Sequence, residues 1–236
     1  YMLMPTQVIN ILSNGTSAAA FDMESAVIWN LRIPRILLNI LVGGALAIAG
    51  TVFQGIFRNP LVSPDILGVS SGAAFGAALG ILISGINIYA TGFALLFGIA
   101  SVCLTYSLAR LRNQITSLSL VLSGMIVSAI FGALIALIKY IADPYDKLPA
   151  ITYWLMGSFS TASYENVSLV SIPIIFGCAV LYFLRWKINI LSMGDEEATA
   201  LGVNPFKLRL IIIAMATLIT AACVTITGII GWVGLV

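Results

Sequence analysis

Residues 31–74, LRIPRILLNILVGGALAIAGTVFQGIFRNPLVSPDILGVSSGAA, decide the fold. They read as an arginine-marked start at Arg32 and Arg35, an uncharged run over 36–57, a polar turn, and a second apolar run studded with glycine. As a helix rising about 1.5 Å per residue, 36–57 is long enough to cross about 30 Å of hydrocarbon. No side chain in that run ionises. The stretch predicts an α-helical membrane protein.

Composition agrees. Hydrophobic residues make up 60% of the 236, charged residues only 8%, and histidine is absent; the mean hydropathy is +1.08. A water-soluble fold would lack the polar surface to cover such a core. The net charge of +2, with no basic run, argues against nucleic acid as a partner. Cys103, Cys178 and Cys223 fall singly in separate apolar runs and read as packing residues, not as a disulfide or metal set.

Uncharged apolar runs recur at 36–57, 66–84, 91–109, 117–138, 167–184 and 210–227, which predicts six membrane spans. Backbone groups find no water in lipid, so every span is expected to be helical, giving an all-α polytopic bundle. With residues 5–31 outside, Arg58, Arg110, Arg112, Arg185, Lys187, Lys207 and Arg209 fall inside, against Arg32, Arg35, Lys139 and Lys147 outside. That excess of inner cations favours this orientation over the opposite one. Residues 1–4 read as the stump of an earlier span, and GIIGWVGLV stops in mid-hydrophobic flow, so the sequence reads as a fragment.

Gly68, Gly72, Gly76 and Gly80 recur every fourth residue and are expected to line one helix face for close packing. Gly124, Ser128 and Gly132 repeat the pattern. Outside, DPYDKLP at 143–149 is turn chemistry, and Tyr153 and Trp154 suit a membrane interface.

The chain has no GxxxxGK[ST] loop, no histidine and no pair of acids inside a span. This removes the usual means of nucleotide hydrolysis, triad catalysis and intramembrane metalloproteolysis, so the chain is not expected to be an enzyme or to hold a metal. Ion-coupled carriers usually keep ionisable groups in the bilayer, and these spans have none. Energy is expected to enter through a loop.

That loop is SMGDEEATALGVNP at 192–205, which carries the only three consecutive acids, Asp195, Glu196 and Glu197. Acids suit a first helical turn, Gly202 suits a C-terminal stop, and Asn204-Pro205 reads as the cap and first residue of the next helix. A short inner helix of about seven residues follows. It reads either as an ordinary solvated loop or as a lever for a docked motor. Arg32 and Arg35, three residues apart and so on nearly one helix face, read either as snorkelling anchors or as a grip for acids on a soluble partner, with Pro34 holding both in place.

Five stretches resemble, in order, the permease subunits of type II ABC importers, the FecCD-type family that includes cobalamin and iron-siderophore permeases: RIPR at 32–35, residues 43–74, YWLMGSF at 153–159, GDEEATALGV at 194–203, and GIIGWVGLV at 228–236. The resemblance implies a ten-helix permease fold, here without its first and about its last three helices, with 1–236 a single transmembrane domain. It implies a second permease copy, two cytosolic ATPase subunits that carry ATP and Mg²⁺, and a substrate-binding protein on the outer face of the inner membrane. By the same resemblance Arg32 and Arg35 receive the binding protein's acids. Gly194, Asp195, Glu196, Glu197, Ala198, Leu201 and Gly202 lie in the ATPase coupling region, and Thr116 and Ser117 are similar to an inner gate. The cargo it implies is a metal chelate, ferric siderophore first, with haem, cobalamin or an oxyanion behind. An ion-coupled secondary transporter and a purely structural assembly protein are the rival classes.

Overall fold

The computed structural model describes residues 4–14, 23–85, 88–110 and 116–236. Residues 1–3 and Arg112 lie outside them. In chain order the helices are α1 Pro5–Asn14, α2 Met23–Val27, α3 Ile33–Phe57, α4 Val69–Ser84, α5 Ile88–Arg110, α6 Ser117–Ile141, α7 Lys147–Leu155, α8 Tyr164–Met193, α9 Asp195–Ala200 and α10 Pro205–Thr227. A π-helical turn, Ile28–Arg32, joins α2 to α3, and a 3-10 turn, Pro64–Leu67, precedes α4. The expected all-α bundle is what forms, with no strand among the described residues.

Among the described residues, five helices are long and apolar enough to cross a membrane: Met23–Phe57, Tyr89–Arg110, Ser117–Ile141, Tyr164–Met193 and Pro205–Thr227. The remaining expected span is shorter than its sequence suggests. Pro64–Leu67 forms a separate turn closed by Gly68 at φ +83°, so α4 keeps only 16 residues, or about 24 Å. Segment 5–31, expected as an outer loop, is helical over α1 and again from Met23. The π turn ends just before Pro34, whose ring and missing N–H would break an ordinary ladder at that point.

α4 lies against α5 along three of the four glycines. A Cβ on Gly72 would stand 2.6 Å from the Ser101 Cβ, one on Gly76 would overlap the Phe93 carbonyl, and one on Gly80 would stand 2.6 Å from the Ala90 Cα. Absent side chains let the two backbones touch. Gly68 is not part of this stripe: it precedes the helix, and its Cβ position faces Ser128 and Gly124 of α6. In the second pattern, Gly124 abuts the Ile66 carbonyl, whereas Gly132 has open space.

α10 is the central helix: 72% of its most apolar stretch is buried, against 22% for α8. Three of its buried hydroxyls are satisfied within the helix, Thr220 donating to the Ala216 carbonyl, Thr225 to that of Ala222 and Thr227 to that of Cys223, which lets polar side chains sit in an apolar core. The Thr217 hydroxyl, by contrast, is buried with no partner among the described residues. Cys223 is buried in this core, Cys178 is partly buried, and Cys103 lies on an exposed face of α5, which corrects the expectation that all three pack inside. After α10 the chain runs without helix past α3. The Gly234 carbonyl occupies the space a Cβ on Gly50 would need, and Gln54 donates to the carbonyls of both Leu235 and Pro60. One amide thus serves two non-helical segments that lipid would leave unsatisfied.

Candidate functional site

At the inner end three elements meet on one carboxylate. Asp195, first residue of α9, accepts a 2.8 Å hydrogen bond from Nη2 of Arg209 in α10 and lies 3.9 Å from Nη2 of Arg58, which ends α3. Arg58 is the C-cap of α3 at φ 49°, with its N–H bonded to the Gln54 and Gly55 carbonyls, so a left-handed turn ends the helix at the residue whose side chain reaches Asp195. Arg209 is nearly buried and Asp195 about half exposed. Such a pair holds geometry more than it adds stability. The Arg209 Nε is buried with no partner among the described residues.

α9 spans six residues, one fewer than the sequence suggested, because Leu201 leaves the helical conformation and becomes its C-cap. Its far end is a Schellman closure: the Val203 N–H bonds the Ala198 carbonyl and the Gly202 N–H bonds that of Thr199, with Gly202 at φ +76°. Asn204 then caps α10 through the Lys207 N–H, and Pro205 is its first residue. α9 is therefore pinned at both ends. Ala198 is fully buried under it, while Glu196 and Glu197 are exposed and Leu201 is 61% exposed. A Cβ on Gly194 would fall on the Glu197 carboxylate, next to Nη2 of Arg58.

A cavity of about 500 Å³ lies under this corner, lined by Arg58, Ser117, Gly194, Asp195, Glu197 and Arg209 among others. Ser117 thus opens onto the same space as α9. Thr116, its neighbour, is the N-cap of α6, accepting from the Ser119 N–H while the Ser119 hydroxyl accepts from its own N–H. That reciprocal cap gives Thr116 a structural task of its own.

At the outer end, Arg32 closes the π turn and Arg35 sits in the first turn of α3. The Arg35 Nε donates to the Phe159 carbonyl at 3.2 Å, and the Tyr164 hydroxyl donates to the Trp29 carbonyl at 2.8 Å. Both bonds tie the start of α3 to the α7–α8 connection. Next to it, hydrogen bonds from Ser160 and Ser158 hold the Tyr153 phenol below its ordinary pKa.

Sequence reasoning missed three participants. Arg58 and Arg209 were counted only as inner charges. Yet Arg209 lies in the second turn of α10, near the helix end whose dipole disfavours cations, and a basic residue there calls for an acid close by. The Phe159 carbonyl left no signal, since a backbone acceptor is invisible in residue identity.

A model of the FecCD transport family matches residues 1–236. The chain belongs to the FecCD transport family. It is 42% identical over 238 residues to the molybdate import system permease protein MolB of Haemophilus influenzae, covering 100% of this chain and 70% of that one. It is also 42% identical over 214 residues to a probable iron chelatin transport system permease protein of Helicobacter pylori, covering 90% and 64%. The chain thus spans about two thirds of the length of these curated relatives. A solved structure described as an inward-facing conformation of a metal-chelate type ABC transporter superposes with a TM-score of 0.85 and 38% identity, over 99% of this chain and 79% of that one. This FecCD chain is a multi-pass protein of the cytoplasmic membrane.

Proposed function

We propose that this FecCD chain is the membrane-spanning permease subunit of an ATP-binding-cassette importer for metal chelates, driven by separate ATPase subunits that bind ATP and Mg²⁺. The observation that carries this reading is the bolting of α9 to both α3 and α10 through Asp195, with Ser117 at the start of α6 opening onto the same cavity. A push on Glu196, Glu197 and Leu201 from the cytosol reaches two long spans through that joint and shares a cavity with the start of a third. Ser117 and Thr116 form the inner gate in this reading, and Gly194 to Gly202 form the coupling element. On the outer face, Arg32 and Arg35 receive acids of a substrate-binding protein. The working unit is two permease copies with two ATPases.

The cargo is a ferric siderophore in the first reading. Spans with small and aliphatic surfaces make few fixed polar contacts, which leaves selection to the delivering protein. A second reading is a molybdate-like oxyanion, favoured by the identity with the Haemophilus molybdate permease over the whole of this chain.

The test is uptake into sealed proteoliposomes holding the full-length protein, with and without its ATPase, offered iron-loaded siderophore or molybdate on its substrate-binding protein. Uptake that requires both ATPase and ATP supports the importer. Uptake driven by an ion gradient alone would replace it with a secondary transporter.

A further inference from the structure

The segment between α7 and α8 is held by its backbone on several sides. The Ser158 N–H donates to the Thr227 carbonyl at 2.7 Å, the last residue of α10. The Thr161 carbonyl accepts from the Asn166 side chain, and the Ser160 hydroxyl meets the Tyr153 hydroxyl at 3.1 Å. Gly157 and Gly228, both at positive φ (+71° and +69°), face each other: a Cβ on Gly228 would stand 2.9 Å from the Gly157 Cα, and one on Gly157 would overlap the Ile229 carbonyl. Two chain reversals are thus interlocked, and a side chain at either glycine would separate them. A further tie, to a residue 124 positions away in sequence, is the hydrogen bond from the Arg35 Nε to the Phe159 carbonyl, beside those from the Tyr164 hydroxyl to the Trp29 carbonyl and from the Thr161 hydroxyl to the Ile226 carbonyl.

We propose that Arg35 is a positioning residue: its Nε–H holds residues 156–163 in place, and through Ser158 the outer end of α10, while its Nη groups are left to bind a carboxylate from the docked protein. No Nη bond from Arg35 to another described residue accompanies the Nε bond. A guanidinium carries five donors in a planar fork, so one edge can serve a carbonyl while the end grips a carboxylate side by side. One side chain then joins the docked protein, the α7–α8 connection and the central helix. The carboxylate half of this proposal rests on the docking reading above; the tether to Phe159 does not.

The two halves separate because lysine keeps the charge but has no second donor edge. The experiment compares full-length wild type, Arg35→Lys and Arg35→Gln in nanodiscs by hydrogen–deuterium exchange. If the tether is real, amides of residues 156–163 and 226–228 exchange about tenfold faster in both variants, because local opening becomes easier. Amides of 195–203 should not change, which separates a local release from general destabilisation. Exchange at 156–163 within about twofold of wild type in either folded variant overturns the proposal. Arg35→Gln, uncharged and smaller, supplies the readout if Arg35→Lys does not fold. Docking is read independently: if Arg32→Glu captures the substrate-binding protein as well as wild type does, the docking reading falls while the exchange result stands.

Discussion

Asp195 and Arg209 join the first residue of α9 to the start of the central helix through a 2.8 Å charge-assisted hydrogen bond. The same carboxylate lies within ion-pair distance of Arg58 at the end of α3. A single acid therefore fixes the position of the short inner helix against two helices of the bundle. Asp195 is about half exposed, so the pair's contribution to stability is small, about 1 kcal/mol. Its value lies in orientation.

Replacing Asp195 with Asn should therefore lower thermal stability by only about 1 kcal/mol while releasing α9. A double-mutant cycle between Asp195→Asn and Arg209→Gln, read by thermal denaturation in detergent, should return a coupling of the same size and sign. A coupling of zero would mean that the two side chains do not interact in the folded protein.

The α4–α5 contact makes a prediction of opposite signs at two glycines. A Cβ on Gly76 has to displace the Phe93 carbonyl, so Gly76→Ala should cost roughly 1–3 kcal/mol. Gly132 in α6 has nothing within 4 Å of a built Cβ, and there Ala should be neutral or stabilising by up to about 1 kcal/mol through helix propensity. Equal melting shifts for both variants would contradict the packing described for α4.

These two glycines also show how far residue identity reaches. The four-residue spacing correctly marked Gly72, Gly76 and Gly80 as a close-contact face, because helical period alone puts them on one side. The same spacing included Gly68, which is used for its positive φ, and treated Gly124 and Gly132 alike although only Gly124 meets a neighbour. Periodicity fixes which residues share a face; it does not say whether another element covers that face. The caps of α10 at Asn204 and Pro205 and the stop at Gly202 were legible for the converse reason, since they depend on local backbone chemistry. The Asp195 joint was only half legible: the acids stood out, but their partners are 137 and 14 residues away, and only the tertiary fold brings them together.

Asp65 carries a pH dependence. It lies in the short turn between α3 and α4, where burial raises its carboxyl above the ordinary value and a hydrogen bond from the Ser70 hydroxyl partly offsets the rise. The folded state thus holds this proton more tightly than the unfolded chain does. The site is least costly below the unfolded pKa, and its contribution worsens as pH rises through the folded pKa. Asp65→Asn should accordingly raise the melting temperature at neutral pH, with the gain shrinking as the pH falls toward the ordinary carboxylate range. A gain that grows on acidification would reverse the assignment.

The central claim is that cytosolic force enters through the exposed acids of α9. Reversing both Glu196 and Glu197 to Lys in the full-length protein, reconstituted with its ATPase, tests it directly by substrate uptake per ATP hydrolysed. The account predicts a fall in uptake of at least about tenfold, the loss expected when an interfacial charge pair becomes a like-charge contact, with the folded permease and the ATPase's own hydrolysis retained. Uptake per ATP equal to that of the wild type would contradict it.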